Sequence, residues 1–166
     1  MRSYLNVFYE IAKFKMVLLM GEHNNTEFTV PQVGKVALHH FKFVRDTRGD
    51  LTVGNFDTEI PFNPERYFLV FNVPSESTRG EHAHIECHQF LICVKGSCTV
   101  IVNDGQSEAE IELNSPNVGL YIPPMIWGVQ HRYTNDAVLL VFASHLYDPK
   151  DYIRDFQEFM NVVGSN

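Results

Sequence analysis

Two apolar runs decide the fold: residues 88–94 (HQFLICV) and residues 97–103 (SCTVIVN). Both are short and rich in Val, Ile and Phe, which is typical of β-strands. Similar runs recur along the chain, namely VALHHFKFV (36–44), RYFLVFNV (66–73), AEIEL (109–113), VGLYIP (118–123) and AVLLVFAS (137–144). Turn-forming segments separate them, and Asp104-Gly105 predicts a hairpin turn. Seven or more strands at this spacing, with no helices between them, predict an all-β sandwich or barrel.

The two ends of the chain differ from this pattern. Residues 21–35 are polar and contain Gly and Pro, so we expect a loop or linker there. Asp148-Pro149 is suited to cap and begin a helix, and apolar residues follow at helical spacing (Tyr152, Ile153, Phe156, Phe159 and Met160). The predicted organisation is an N-terminal extension or linker (1–35), of which 1–19 could lie upstream of an internal start, a barrel (36–147) and a C-terminal helix packed on it (148–166).

The composition limits the classes of function. The 166 residues indicate one domain, and 45% hydrophobic against 20% charged residues provide a sizeable core. A net charge of −7 argues against a general nucleic-acid or anionic-membrane binder, because both need a positive surface. No apolar stretch approaches the roughly 20 residues of a membrane helix. Three cysteines without a Cys-x-x-Cys pair suggest buried thiols in a reducing compartment, so we expect a cytoplasmic protein.

The most informative segment is Arg79 to Phe90 (RGEHAHIECHQF). Residues two apart on a strand point the same way, so His82 and His84 project together from one face. Two imidazoles in one pocket suit metal ligation or proton transfer, whereas two histidines facing solvent would do neither. The pattern alone leaves these alternatives open.

This segment resembles the first motif of the cupin superfamily, here His82-x-His84-x4-Gln89-x6-Gly96, where metal-binding cupins usually place Glu at the position of Gln89. Residues 119–130 (GLYIPPMIWGVQ) resemble the second cupin motif, but Gly128 stands at the position where that motif has the His that is the fourth metal ligand. The resemblance implies a jelly-roll barrel, the cupin double-stranded β-helix, with a C-terminal helix. Two of the four ligand positions hold poor ligands, and a catalytic metal normally has at least three protein ligands. We therefore expect no metal and no other cofactor.

A narrower resemblance covers residues ~42–160. The segments RDTRGDL, IPFNPERYFLVFNVP, RGEHAH, CHQFLICVKGS and FASHLYDPKDYIRDFQEF are similar, in order, to the sugar 3,4-ketoisomerases of the FdtA/QdtA type, the WxcM-like C-terminal domain family. The resemblance implies isomerisation of dTDP-4-keto-6-deoxyglucose to a 3-keto isomer, which a pathway aminotransferase then converts to a 3-amino-3,6-dideoxyhexose of a surface polysaccharide such as O-antigen. It also implies a homodimer with exchanged N-terminal strands.

The same resemblance assigns roles to individual residues. It implies that His84 is the base at C3 and His82 its proton-transferring partner, although the order could be reversed, with Tyr121 or Tyr67 as an additional donor at the pocket wall. The other expected substrate contacts are Arg66 and Arg79 on the phosphates, Arg48 from the exchanged-strand side, Gln89 in the pocket, and Trp127 against the base or sugar.

Two other functions remain open at this point. The first is a metal-dependent cupin enzyme that would use His82 and His84 together with His88 or His131. The second is a nucleotide-sugar-binding cupin without catalytic activity.

Overall fold

The computed structural model describes residues 26–29, 33–56 and 58–165. These ranges contain thirteen strands, as follows: β1 (Thr26–Thr29), β2 (Ala37–His40), β3 (Lys42–Asp46), β4 (Gly49–Val53), β5 (Arg66–Phe71), β6 (Arg79–His84), β7 (Gln89–Lys95), β8 (Cys98–Asn103), β9 (Glu108–Leu113), β10 (Val118–Ile122), β11 (Trp127–His131), β12 (Val138–Ala143) and β13 (Tyr152–Ile153).

The strands form two large antiparallel sheets and one hairpin. A six-stranded sheet has the order β1-β2-β10-β7-β12-β5, a five-stranded sheet has the order β13-β6-β11-β8-β9, and β3 pairs with β4. The main core combines residues of both sheets, among them Leu91, Val100, Leu113, Leu120 and Leu139, each fully buried. Alternate residues of β7, β8, β10 and β12 point into this core, as expected for sheets packed face to face. The prediction of an all-β barrel of the cupin type is confirmed.

The strand predictions hold within one or two residues for most runs, and Asp104-Gly105 begins the predicted β8–β9 turn, with Gly105 at a φ of 90°. Two details need correction. The composition of RDTRGD (45–50), which follows the first apolar run, predicts a turn, but only residues 47–48 turn, and strands β3 and β4 lie on either side. The loop predicted over 21–35 contains β1, which gains a complete antiparallel ladder by pairing with β2.

The C-terminal segment also departs from the prediction, because the helix begins at Phe156 instead of Pro149. Asp148 caps a single 3-10 turn, Pro149–Asp151, and Tyr152 and Ile153 then pair with His84 and Ala83 at the edge of the five-stranded sheet. Asp155 accepts a hydrogen bond from the Glu158 N–H and caps helix α1 (Phe156–Val163). Phe159 of α1 is fully buried against the outer face of the sheet. No helix within the described ranges is long and apolar enough to cross a membrane.

Candidate active site

His82 and His84 enter one cavity between the two sheets, as the strand period predicts. Their ring centroids are 5.0 Å apart with the planes at 86°. A β-bulge lies immediately before them: His82 is paired with Gly128 and Gly80 with Val129, so Glu81, at a φ of 56°, has no residue opposite. Such a bulge bends the strand and redirects its side chains. Other residues lining the cavity are Cys87, Gln89, Ile122, Pro123, Ile126, Gly128 and Gln130.

The hydrogen bonds of the two rings define which nitrogen carries the proton. His82 Nδ1 lies 2.9 Å from the Gly80 carbonyl oxygen, which only accepts, so Nδ1 is the N–H. His84 Nδ1 lies 2.7 Å from Asp151 Oδ2 and donates to this carboxylate. Nε2 of each neutral ring therefore carries a lone pair. His84 Nε2 is buried and has no hydrogen-bond partner among the described residues.

Burial keeps both rings neutral near pH 7. The pKa of His84 is lowered to about 4, mainly by burial and to a smaller extent by His82 and Arg66, although the hydrogen bond to Asp151 opposes the shift. Burial also lowers the pKa of His82, with a smaller contribution from the charges of Arg154 and Arg66. A neutral imidazole with a free Nε2 can accept a proton. The cavity thus presents two bases side by side.

The segment after the barrel forms one wall of the site. Asp151 is held by the Glu86 N–H, 2.7 Å from its Oδ1, and its own carbonyl accepts the Ile85 N–H at 2.9 Å. Although burial tends to raise the pKa of Asp151, the hydrogen bonds from Glu86 and His84 hold it below its ordinary value. The neighbouring Tyr152 packs on both imidazoles, with centroid distances of 4.9 Å to His82 and 4.4 Å to His84.

Two arginines border this wall. Arg66 belongs to the inner face of β5, donates to the His145 carbonyl at 3.1 Å and places Nη2 3.5 Å from the Tyr152 hydroxyl. The Arg154 guanidinium lies 4.2 Å from the centre of the Tyr152 ring. Both charges are close enough to lower the pKa of His82. Two positive charges therefore lie close to the histidine pair within a chain of net negative charge.

Four of the predicted site residues are brought together. His82, His84 and Gln89 line the cavity, and Arg66 stands beside it. Tyr121 is not among them, because Ile122 faces the cavity and Tyr121 points to the other side of the sheet. There its hydroxyl lies 2.7 Å from Nδ1 of His88, so we do not assign it a catalytic role.

The other predicted contacts also lie away from the cavity. Tyr67 is 68% exposed on the outer face of β5, because Arg66 and Phe68 take the inner face. Trp127 packs against Phe159 at 5.7 Å under α1 and is therefore part of the core. Arg48 is paired with Asp46 at 2.6 Å in the β3–β4 turn. Arg79 is exposed at the start of β6.

Sequence reasoning missed Asp151, Tyr152, Arg154, Cys87 and Gln130. The first three lie in DPKDYIR, whose apolar spacing was taken for a helix. Cys87 was interpreted only as a structural thiol. Gln130 could have been found from strand period, since it is two residues after Gly128 on β11.

One group of side chains offers metal-ligand atoms: those of His84, Cys87 and Asp151 lie within 4.8 Å of one another. Several of these atoms are already engaged within the chain, because His84 Nδ1 donates to Asp151 and the second Asp151 oxygen accepts the Glu86 N–H, which leaves the lone pair of His84 Nε2 as the imidazole ligand. Gln89 and Gly128 supply no carboxylate or imidazole on the cavity wall. This donor set does not fit a divalent ion.

The amino-acid sequence is similar to a known protein family and to a characterised enzyme. A family described as "FdtA: WxcM-like, C-terminal" matches residues 34–164. A TDP-4-oxo-6-deoxy-alpha-D-glucose-3,4-oxoisomerase of Aneurinibacillus thermoaerophilus is 41% identical over 124 residues, which are 75% of this chain and 89% of that protein.

Solved structures show the same likeness. A 3,4-ketoisomerase from Helicobacter canadensis superposes with a TM-score of 0.75 at 37% identity, covering 78% of this chain and 97% of the other. A single-site variant of the 3,4-ketoisomerase QdtA from Thermoanaerobacterium thermosaccharolyticum, in complex with TDP-4-keto-6-deoxyglucose, gives 0.76 at 39% identity, covering 79% and 95%.

Proposed function

We propose, because this chain belongs to the FdtA family of WxcM-like C-terminal domains, that it is a sugar-nucleotide 3,4-ketoisomerase acting on dTDP-4-keto-6-deoxyglucose. The observation that carries the proposal is the pair of neutral imidazoles, His82 and His84, whose Nε2 atoms both carry lone pairs in one cavity. A 3,4-keto shift needs two proton transfers, one between carbons and one between oxygens. Two adjacent bases can perform both.

The reaction balances without an external acid, base or redox partner. The C4 carbonyl acidifies the C3–H bond, and His84 Nε2 takes that proton while the electron pair moves into the C3–C4 bond and charge develops on O4. His82 Nε2 accepts the O3 hydroxyl proton and delivers it to O4. The electrons on O3 then form the new carbonyl at C3, and His84 returns its proton to C4. Each transfer is general acid–base catalysis between groups held in place.

Substrate binding is expected to centre on the two arginines beside Tyr152. Arg66 and Arg154 flank the Tyr152 ring, and guanidinium groups bind phosphate oxygens bidentately. We infer that they hold the diphosphate, which places the sugar in the cavity between His82 and His84. Gln89 offers a hydrogen bond to a sugar hydroxyl on the cavity wall.

We also infer a homodimer that contains this site twice. The outer face of β5 exposes Tyr67, Leu69 and Phe71, at 68%, 46% and 55%. An apolar strip of this kind on a small protein favours association. An exchange of N-terminal strands would place the partner's β1 on β2 of this chain. Light scattering during size-exclusion chromatography tests it, since a dimer has twice the 19.1 kDa mass of the chain.

The place of the protein in metabolism follows from its product. A 3-keto sugar is a substrate for a pathway aminotransferase that installs a 3-amino group, as needed for a 3-amino-3,6-dideoxyhexose of a surface polysaccharide. The three cysteines are free and buried, which supports a reducing, cytoplasmic location.

The function is tested by proton NMR of dTDP-4-keto-6-deoxyglucose with the enzyme in D2O. We expect loss of the C3 proton signal and appearance of the 3-keto isomer. His84→Asn should lower the rates of C3 exchange and of isomer formation by at least about 100-fold, whereas His82→Asn should retain C3 exchange but form no 3-keto isomer. His88→Asn is the matched control, because His88 lies on the other face of the sheet against Tyr121. The proposal is refuted if the wild-type protein produces neither C3 exchange nor the 3-keto isomer.

A further inference from the structure

We propose that Asp151 is a positioning residue for catalysis: it holds the His84 ring in the tautomer whose Nε2 is free to take the proton from C3. The catalytic part of this inference rests on the proposed function. The structural part, the choice of tautomer, does not. The residue comes from the 3-10 turn after the barrel and reaches a histidine that lies 67 positions earlier.

The geometry of the contact between Asp151 and His84 determines which ring nitrogen carries the proton. Asp151 Oδ2 lies 2.7 Å from His84 Nδ1, and the His84 side chain is only 4% exposed. A neutral imidazole has one N–H, and a buried N–H needs an acceptor. A carboxylate at Nδ1 therefore draws the proton to that side. Nε2, which meets no partner among the described residues, is left as the base in the cavity.

Asp151 is itself immobilised. Its Oδ1 accepts the Glu86 N–H at 2.7 Å, and its carbonyl accepts the Ile85 N–H at 2.9 Å. Asp148 caps the turn that carries it by accepting the Lys150 N–H. Because both its oxygens are engaged by donors, the carboxylate stays ionised and cannot turn away from His84. This distinguishes Asp151 from a flexible surface acid.

The Asp151 carboxylate also acts on the transition state. When His84 takes the C3 proton it becomes an imidazolium in a cavity shared with His82 and close to Arg66, both of which disfavour a second positive charge. The groups facing it are His82, Arg66, Tyr152, Cys87 and Asp151. Asp151 is the anion among them. The attraction between the Asp151 carboxylate and the His84 ring is stronger in the transition state than in the ground state, because the ring becomes positively charged, and this difference is the condition for raising kcat.

Asp151→Asn tests the inference because the amide is nearly isosteric and can donate where the carboxylate only accepts. We expect its NH2 to donate to Nδ1 and move the ring proton to Nε2. The predicted result is a fall in kcat of at least about 100-fold with KM within about 3-fold, since the substrate is held by the arginines. Asp155→Asn is the matched control: it makes the same change in the same segment, and Asn also caps helices well.

Long-range 1H–15N NMR of the histidine rings provides a readout independent of activity. The His84 resonances, identified by their loss in His84→Gln, should show a protonated Nδ1 in the wild type and a protonated Nε2 in Asp151→Asn. An unprotonated Nε2 in the variant, or kcat within about 3-fold of the wild type, would overturn the proposal. If Asp151→Asn does not fold, Asp151→Glu is the test. The displaced carboxylate should lower kcat while leaving KM unchanged. An unchanged kcat would contradict the proposal. A wild type inactive on this substrate would refute the proposed function, while the tautomer measurement would still test Asp151.

Discussion

Replacing His84 by Gln should change how the stability of the protein depends on pH. The His84 ring has an ordinary pKa of 6.5 when exposed in the unfolded chain, and burial lowers it to about 4 in the folded protein. Between these values the unfolded state binds a proton that the folded state does not. The free energy of unfolding therefore falls as the pH drops through this window, and it is unaffected by His84 above pH 7.

The size of the effect follows from the same two values. A shift from 6.5 to about 4, at 1.36 kcal/mol for each pH unit, gives about 3 kcal/mol in full. About 2 kcal/mol of it is lost between pH 7 and pH 5. For a chain of this length that corresponds to a fall in Tm of about 4–8 °C that is absent from His84→Gln. Asp151, whose pKa is lowered, adds stability that is lost only as the pH falls below the ordinary carboxyl value of 3.8, outside this window.

The assay is thermal or urea unfolding of both proteins at steps between pH 8 and pH 5. The variant starts from a lower stability, so only the slopes are compared, and the two curves should run parallel above pH 7. The buried His82 contributes a slope of the same sign to both proteins. Equal slopes from pH 7 to pH 5 would refute the burial argument for His84.

Three further predictions concern the site and its frame. Gly80→Ala should lower the free energy of unfolding by about 1–3 kcal/mol and lower kcat, because the φ of Gly80 is 81°, a Cβ would lie 2.7 Å from the Gly128 carbonyl oxygen, and the Gly80 carbonyl orients His82. Gly49→Ala is the control and should leave kcat unchanged, because a Cβ there meets nothing within 4 Å. Equal kcat values in the two variants would contradict this reasoning. Arg66→Gln or Arg154→Gln should raise KM about 10-fold or more, because each variant loses a charge-assisted hydrogen bond. Arg132→Gln should not raise KM, because Arg132 pairs with Glu110 and is not among the residues that line the cavity; steady-state kinetics decide. Trp127→Phe should lower Tm, because it removes part of the packing against Phe159, and the loss in free energy of unfolding should be below the ~3–5 kcal/mol of truncation to Ala. KM should stay unchanged, and a raised KM would show that Trp127 belongs to the binding site.

Most of the barrel could be predicted because its strands follow the two-residue period. The same rule places His82 and His84 in one cavity, and it could have placed two other residues correctly. Trp127 lies between Ile126 and Gly128, which both line the cavity, so its side chain must take the outer face. Tyr121 precedes Ile122 and is displaced in the same way.

The wall formed by residues 148–155 could not be predicted, since its role depends on contacts distant in sequence. Tyr152 and Ile153 have helical spacing relative to α1, yet they pair with β6, whose edge would otherwise leave backbone groups without partners. Asp151 has no local signal, because its significance comes only from His84. The β3–β4 hairpin was missed because Gly49 and Asp50 favour turns, although both lie in a strand.

The position of the wall after the barrel has a consequence for synthesis on the ribosome. The strands that supply His82, His84 and Arg66 all emerge before Asp151, Tyr152 and Arg154, and domains generally begin to fold during translation. A nascent chain that has completed β12 can close its barrel around two histidines that still lack their carboxylate partner. The contact between His84 and Asp151 would then form only after residues 148–155 have been synthesised and Tyr152 and Ile153 have paired with β6.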